Sequence, residues 1–356
     1  MSGPTDRQAL TPAFRVKVNG SELPVDAALD VTRVTIDQDV DQPGMCDLDM
    51  LNWDDHHRRV TWVDDQMFAL GAEIAVELGY VDHLEKLFTG ELVGVEPRFS
   101  SDHAPRVTIR AFDRLHRLLR GRKSRTYLNA TDKQIVELIA GDHGLTPQAE
   151  DSGLTYAHVY QHNQTDLEFL RIRAARINYE IAVDDKTLNF RSRRNTGSEA
   201  LTLGRDEDLR HFDVRLSSAN AVTAVTVRGW NPDTKKELVG HASAGDIAGA
   251  MGGSANGPQS AGKAFGQAET FDLDTPLSSQ AEADAIAKAR LSELALEWVT
   301  GQGTAIGRTD LRAGVVIKIE GLGDRFTGLY YVVSATHTFS PHDGYKTIFK
   351  VKRNSS

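Results

Sequence analysis

One short segment of this chain has nearly the spacing of a nucleotide-binding P-loop. Residues 257–264 read GPQSAGKA. A P-loop needs a Ser or Thr directly after its lysine to hold Mg²⁺, with a buried strand before the loop and a helix after it. Ala264 follows Lys263 and offers no oxygen, and the flanking residues are rich in glycine. We therefore predict that this segment does not bind ATP.

A second segment gathers potential metal ligands. Asp54, Asp55, His56 and His57 are consecutive. Neighbouring histidines tend to point in different directions, and the sequence has neither an H-E-x-x-H motif nor paired cysteines at zinc-binding spacing. A solvated polar cluster explains these residues more simply. We predict no metal site and no cofactor.

Candidate nucleophiles and acid pairs are equally sparse. There is no G-x-S-x-G elbow, and the single cysteine, Cys46, alternates with Leu48 and Met50 as a small core residue would. His337 lies within a strand pattern and is interpreted as a core or interface histidine. Glycoside hydrolysis by paired acids needs a deep cleft and one acid of raised pKa. The sequence marks no such pair, and we predict no catalytic residues. Because the chain has many carboxylates, glycoside hydrolysis stays an open alternative.

Composition sets the broad class of the protein. The chain has 356 residues, 40% of them hydrophobic and 26% charged, which predicts a soluble protein of two or three domains. It contains no apolar run long enough to enter a membrane. Residues 1–7 lack the apolar core of a secretory signal, so we expect synthesis in the cytoplasm. A net charge of −9 argues against nucleic acid as a partner.

The charge is unevenly distributed along the chain. Residues 37–65 hold nine aspartates, and residues 110–125 hold seven arginines and lysines with a single aspartate. Two solvated faces are the simpler interpretation. In a protein that forms rings, the two segments are also candidates for contacts between subunits. The sequence does not decide between these alternatives.

Three domains are expected from changes in pattern. Residues 8–120 alternate apolar and polar positions in short strands, which predicts a first β-barrel-like domain. Residues 121–208 carry two capping boxes, at Thr131 and Thr165, and a hairpin, which predicts a small α+β unit. Residues 209–356 return to strands. Within them, residues 241–267 are rich in Gly, Ala and Ser, and we predict a long mobile loop that proteases cut first.

The last fifty residues predict three strands separated by turns. The middle strand is apolar or aromatic at both alternating sets of positions: Leu329, Tyr331 and Val333 on one, Tyr330 and Val332 on the other. A strand covered on both faces indicates a closed barrel or an interface. The fold class expected is α+β, mainly β, with two related antiparallel barrel-like domains flanking the α+β unit.

Five segments in order resemble the late control gene D family. They are FTGEL at 88–92, DRLH at 113–116, RTYLNATD at 125–132, QHNQTDLEFL at 161–170 and the strands at 311–349. Members of that family are central baseplate hubs of contractile phage tails and related injection machines, and are similar to the hub portion of type VI secretion spikes. The resemblance implies a homotrimer whose ring of six similar barrels joins a sixfold inner tube to a threefold spike.

The resemblance also implies a set of partners. These are further copies of the chain, the inner tube protein, other baseplate components and a separate spike protein, because the sequence ends after the second barrel. We expect a structural protein of a phage tail or of a headless injection particle. The alternatives are a hub or tail-tip protein that hydrolyses peptidoglycan through an inserted domain, and a monomeric carbohydrate-binding module.

Overall fold

The computed structural model describes residues 11–231 and 234–356. The N-terminal residues, on which the expectation of no secretory signal rests, lie outside this part. The fold is mainly β with shorter helical segments, as predicted. Within the described ranges, no helix is long and apolar enough to cross a lipid bilayer.

The first part of the chain consists of antiparallel strands with one helix near its start. Its strands are β1 (Pro12–Val18), β2 (Ser21–Glu22), β3 (Val31–Asp39), β4 (Met45–Leu51), β5 (Glu73–Tyr80), β6 (His83–Arg98) and β7 (Arg106–Phe112). Helix α1 (Val25–Asp30) lies between β2 and β3, and a 3-10 helix covers Gln66–Phe68. Asn19 and Gly20 have φ angles of 49° and 81°, as the predicted tight β1–β2 hairpin requires.

The middle part is an α+β unit. A 3-10 helix (Arg114–Leu119) opens it, followed by β8 (Lys123–Thr131), α2 (Asp132–Asp142), β9 (Thr146–Ala149), β10 (Thr155–Gln164), α3 (Asp166–Arg176), β11 (Tyr179–Asp184) and β12 (Thr187–Ser192). Both predicted capping boxes are present. Thr131 and Thr165 accept from the amides of Gln134 and Glu168, whose side chains accept from the capping residues' amides in return.

The last part resumes the strands and inserts two longer helices. Its elements are β13 (Leu201–Gly204), β14 (Leu209–Leu216), β15 (Ala224–Asn231), β16 (Lys236–Ser243), α4 (Gly257–Phe265), β17 (Glu269–Asp272), α5 (Gln280–Leu296), β18 (Val299–Ile306), β19 (Val316–Glu320), α6 (Gly323–Phe326), β20 (Gly328–Ser340) and β21 (Gly344–Arg353). A 3-10 helix covers Ala244–Asp246. Strands β15, β16 and β17 form a separate sheet that α5 covers.

The first and last parts share one large sheet instead of forming two closed barrels. The main path of this sheet is β14-β18-β21-β20-β3-β4-β7-β6-β5-β1-β2, and β19 and β13 extend it from β20. Strand β20 pairs with β19 over its first residues and with β3 over its last ones. Because β20 continues from one part of the sheet into the other, the prediction of two barrel-like domains is not confirmed.

The two ends of the large sheet nevertheless have the same strand order. The first sheet half lies in the order β3-β4-β7-β6-β5-β1, and the second sheet half in the order β14-β18-β21-β20-β19-β13. The members correspond one to one along the chain. The outermost pair differs in direction, because β1–β5 is antiparallel whereas β13–β19 is parallel. Elements β15 to α5 are an insertion between the first two strands of the second half.

The buried residues fall into clusters that follow this organisation. One cluster fills the first sheet half and includes Phe339 and Tyr345 from the last strands, which ties the two halves together. Others occupy the α+β unit, the second sheet half and the space between α5 and the β15–β17 sheet. The domain boundaries at residues 120 and 208 stay predictions. The buried cluster of the α+β unit runs from Leu115 to Phe190, and Leu201 and Leu203 belong to the cluster of the second sheet half.

The chain itself covers both faces of β20. Tyr330 packs in the core of the second sheet half, whereas Tyr331 packs with Met251, Leu296 and Val316 on the opposite face. Both tyrosines are fully buried. Contacts within one chain therefore explain why β20 is apolar or aromatic on both faces. This pattern does not by itself indicate an interface.

The segment 241–267 is ordered, which contradicts the prediction of a long loop without apolar anchors. It contains α4, and its Met251 and Ala261 are buried. The Met251 amide donates to Asn354 Oδ1 over 3.0 Å, and the Met251 carbonyl accepts from Arg353 Nε over 3.1 Å. These anchors come from the far end of the chain, which is why local composition missed them.

Candidate functional site

The P-loop-like segment is a helix, not a loop. Helix α4 begins at Gly257, directly after the capping residue Asn256, which exchanges two hydrogen bonds with Gln259. Lys263 lies in the last turn. A P-loop holds phosphate with the backbone of a loop that precedes its helix, so this arrangement does not have the geometry of a nucleotide site.

The aspartate–histidine cluster is a local turn. Asp54 accepts hydrogen bonds from the amides of His56 and His57 and contacts His57 Nδ1 over 2.6 Å. Hydrogen bonds from the His57 amide and ring lower the pKa of Asp54 to about 2. Within residues 11–231 and 234–356, no group of three or more His, Cys, Asp or Glu side chains is placed to hold a metal ion.

Cys46 and His337 are both fully buried. Burial raises the pKa of the Cys46 thiol, which leaves it protonated and unreactive. His337 Nδ1 lies 2.8 Å from the Tyr345 hydroxyl group, and burial lowers the pKa of the imidazole to about 3. The interpretations of Cys46 as a core residue and of His337 as a hydrogen-bonded core residue agree with these positions.

One cleft contains two acids whose pKa is raised by burial, Asp39 and Asp113, the feature that glycoside hydrolysis would need. Its volume is about 410 Å³, and Asp39, Asp113, Asp184 and Asp185 line it. Burial raises the pKa of Asp113 to about 7, against the opposing effect of two backbone amides.

The hydrogen bonds of Asp113 are those of a helix cap. Its Oδ2 accepts from the Gly44 amide over 2.7 Å, and its Oδ1 accepts from the Leu115 amide over 2.9 Å. A general acid must present its proton to a substrate atom. Because a backbone donor occupies each oxygen, Asp113 is arranged to hold the start of the 3-10 helix.

One side of the large sheet carries polar side chains, except where Met251 and Leu296 cover the start of β20. Strands β14, β18, β21, β20, β3, β4, β7 and β6 lie side by side, and their core-facing residues fill the two sheet-half clusters. The opposite side, here called the polar face, carries side chains such as Asp213, Gln302, Lys350, Thr336, Asp37 and Arg110. A polar sheet face of this width is suited to contact with water or with another macromolecule.

This eight-strand run has an unpaired edge at each end. Strand β14 pairs only with β18, and residues 93–98 of β6 pair only with β7, within the part of the chain that the structure describes. We call them the β14 edge and the β6 edge. An unpaired edge presents backbone N–H and C=O groups that another strand can bind.

The basic segment is paired mainly within the chain, and Asp41, Asp47 and Asp54 of the acidic segment also have ion-pair partners. Arg110 binds Asp47 through two hydrogen bonds of 2.9 Å and Glu96 through one of 2.7 Å. Five further cations between residues 114 and 125 also have partners: Arg114 with Glu73, Glu91 and Asp185, Arg117 with Glu91, Arg122 with Glu168, Lys123 with Asp166, and Arg125 with Asp142. Arg114 therefore joins Glu73 and Glu91 of the first sheet half to Asp185 of the α+β unit, whereas the ion pairs of Arg122, Lys123 and Arg125 lie within that unit.

Sequence reasoning missed both edges. The signal was present in the alternation of His211, Asp213 and Arg215 with Phe212 and Val214, which marks a strand with one charged side. Nothing in that pattern reveals that the strand ends a sheet, because pairing partners are distant in sequence.

Several solved structures share this fold. The 43 kDa tail protein of prophage MuSo2 from Shewanella oneidensis has a TM-score of 0.71 and 12% identity, with 96% of this chain and 98% of that chain covered. A tail protein from Neisseria meningitidis MC58 has a TM-score of 0.69 and 14% identity, with 96% and 97% covered. An E. coli protein described as a type VI secretion component, similar in structure to T4 tail proteins gp27 and gp5, has a TM-score of 0.60 and 17% identity, with 96% and 77% covered.

Sequence comparison places the chain in a family. A comparison with curated proteins finds no match. The model of the Alg8 N-terminal domain matches residues 8–341, nearly the whole chain. That description does not name late control gene D, so membership of the latter family stays a prediction. The chain belongs to the Alg8 N-terminal domain family.

Proposed function

We propose that this protein is a structural baseplate hub of a contractile tail or injection machine. Three copies form a ring that joins the sixfold inner tube to the threefold spike, next to other baseplate components. The hub acts by binding its neighbours and has no enzymatic activity.

The repeated strand order is the observation that carries this proposal. Each chain contains two sheet halves of the same order, β3-β4-β7-β6-β5-β1 and β14-β18-β21-β20-β19-β13. Three chains around a threefold axis would present six similar units. A ring of this kind matches a sixfold partner on one side and a threefold partner on the other. The tail and type VI proteins that share the fold support the same role.

The runner-up is a hub that also cuts peptidoglycan. The cleft with Asp113 is the feature that favours it. The occupied oxygens of Asp113 weigh against it, because a capping carboxylate is not free to donate a proton to a glycosidic oxygen.

A deletion experiment tests the proposal. Particles would be purified from cells that produce the whole tail gene set with and without this chain, and imaged by electron microscopy. We expect the spike to be missing from the tube when the chain is absent, and complete particles with Asp113→Asn. Complete tube–spike particles without the chain would contradict the hub role. Peptidoglycan hydrolysis that Asp113→Asn abolishes would favour the enzymatic alternative.

A further inference from the structure

We propose that neighbouring copies in the ring join through an antiparallel ladder between the β6 edge of one copy and the β14 edge of the next. In this ladder Glu96 lies opposite Arg215, and Arg98 lies opposite Asp213. The inference rests on the proposed ring and specifies the contact that closes it.

The junction inside the chain is the template for this contact. Strand β6 of the first sheet half corresponds to β20 of the second sheet half. Strand β3 of the first sheet half corresponds to β14 of the second. These inner members, β20 and β3, form a ladder that joins the two halves. Their counterparts, β6 and β14, are the two strands left with an unpaired edge.

Matching bulges align the counterparts residue by residue. The β6–β7 ladder shifts between Leu92 and Gly94, and the β20–β21 ladder shifts between Val332 and Ser334. This places Glu96 at the position of Thr336 and Arg98 at the position of Thr338. A β-bulge is a specific local feature, so its repetition fixes the alignment of β6 with β20.

The same argument aligns the other pair. The β3–β4 ladder shifts between Val31 and Arg33, and the β14–β18 ladder shifts between Leu209 and His211. This places Asp213 at the position of Thr35 and Arg215 at the position of Asp37.

The register of the inner junction then transfers to the outer one. Within the chain, Thr336 lies opposite Asp37, with a hydrogen bond of 2.6 Å, and Thr338 lies opposite Thr35. At the outer junction the corresponding pairs are Glu96 with Arg215 and Arg98 with Asp213, so both pairs unite opposite charges. A slip of one residue would move the core-facing side chains to the polar face, and a slip of two would set Arg98 opposite Arg215.

An exposed aromatic residue supports the same register. Phe99 is 65% exposed in the single chain, whereas Phe339, its counterpart, is 6% exposed inside the inner junction. The proposed ladder sets Phe99 beside Phe212 of the next copy, on the core side of the sheet. Pro97 contributes no N–H group to either neighbouring strand.

Engineered disulfides test the register directly. The double variants Arg98→Cys/Asp213→Cys and Glu96→Cys/Arg215→Cys should give covalently linked trimers on oxidation. The shifted control Arg98→Cys/Arg215→Cys should not, because diagonal positions are too far apart for a disulfide. Native Cys46 is fully buried and should not interfere.

Charge reversal gives a second, independent readout. Arg98→Asp and Asp213→Arg should each raise the concentration at which trimers dissociate at least tenfold, and the double reversal should restore it. A trimer in solution that cross-links only in the shifted control, or not at all, would overturn the register and leave the hub proposal standing. A chain that is monomeric even with the spike protein would overturn both.

Discussion

Tyr331 on β20 donates a hydrogen bond from its hydroxyl group to Glu180 Oε2 on β11, over 2.5 Å. Glu180 is 2% exposed and also accepts from Arg191 Nε over 2.9 Å. A buried carboxylate with two donors stabilises the contact between the α+β unit and the large sheet. This pair shows why the outer face of β20 carries an aromatic residue with a polar end.

Replacing Tyr331 by Phe should lower the free energy of unfolding by about 1–3 kcal/mol, because the buried Glu180 loses a donor. Urea unfolding would measure the change. Tyr160→Phe is the matched control, since Tyr160 is 50% exposed and should change stability by less than about 0.5 kcal/mol. Equal effects of the two substitutions would contradict a structural role for the Tyr331–Glu180 bond.

His337 should make stability depend on pH. Burial lowers its pKa to about 3 in the folded chain, whereas an unfolded histidine titrates near 6.5. The contribution of neutral His337 to the free energy of unfolding is fully present above about pH 6.5. As the pH falls from there towards 3, this free energy decreases by about 1.4 kcal/mol per pH unit.

His337→Gln should remove this part of the pH dependence. Urea unfolding at about pH 7.5 and about pH 5 would be compared between the two proteins. Asp113, whose pKa is raised to about 7, makes stability fall as the pH rises, opposite to His337. Because Asp113 is present in both proteins, its effect cancels in the comparison. The exposed His158→Gln is the control. An unchanged pH dependence in His337→Gln would show that the buried imidazole is not the titrating group.

Lys263→Ala should have no effect on nucleotide binding, because the unchanged protein should bind none. The lysine lies in the last turn of a helix whose first residue is Gly257, so no phosphate loop surrounds it. Fluorescent ATP binding and phosphate release would be measured for both proteins. Hydrolysis of ATP that disappears in the variant would reverse this interpretation.

Asn354→Ala should open the segment before α4 to proteases. Asn354 accepts from the Met251 amide over 3.0 Å and donates to the Gly249 carbonyl over 3.0 Å. Losing both partners should increase local opening roughly tenfold. Mass spectrometry of limited digests would locate the cuts, with the exposed Lys350→Ala as control. Rapid cleavage of this segment in the unchanged protein would instead support the mobile loop that composition predicts for residues 241–267.

Local features were predictable from the sequence because their causes are local. Thr131, Thr165 and the Asn19-Gly20 turn each specify backbone geometry within four residues, and the structure contains all three. The segment 241–267 was misjudged because Arg353 and Asn354, which hold it, lie about a hundred positions away.

The repeated strand order could not be detected as a sequence repeat. The β15–α5 insertion separates β14 from β18 in the second half, and no such element separates β3 from β4. Corresponding residues such as Thr35 and Asp213 share a face of the sheet but not a residue type. The two sheet halves correspond in how their strands pair and in where their β-bulges lie, and only the folded chain displays these features.

The mass of the free protein in solution tests the central claim most directly. Light scattering coupled to gel filtration would be measured at several concentrations, alone and with the spike protein. The hub account predicts a mass of three chains, retained on dilution or recovered when the spike protein is added. A mass of one chain under all these conditions would contradict it.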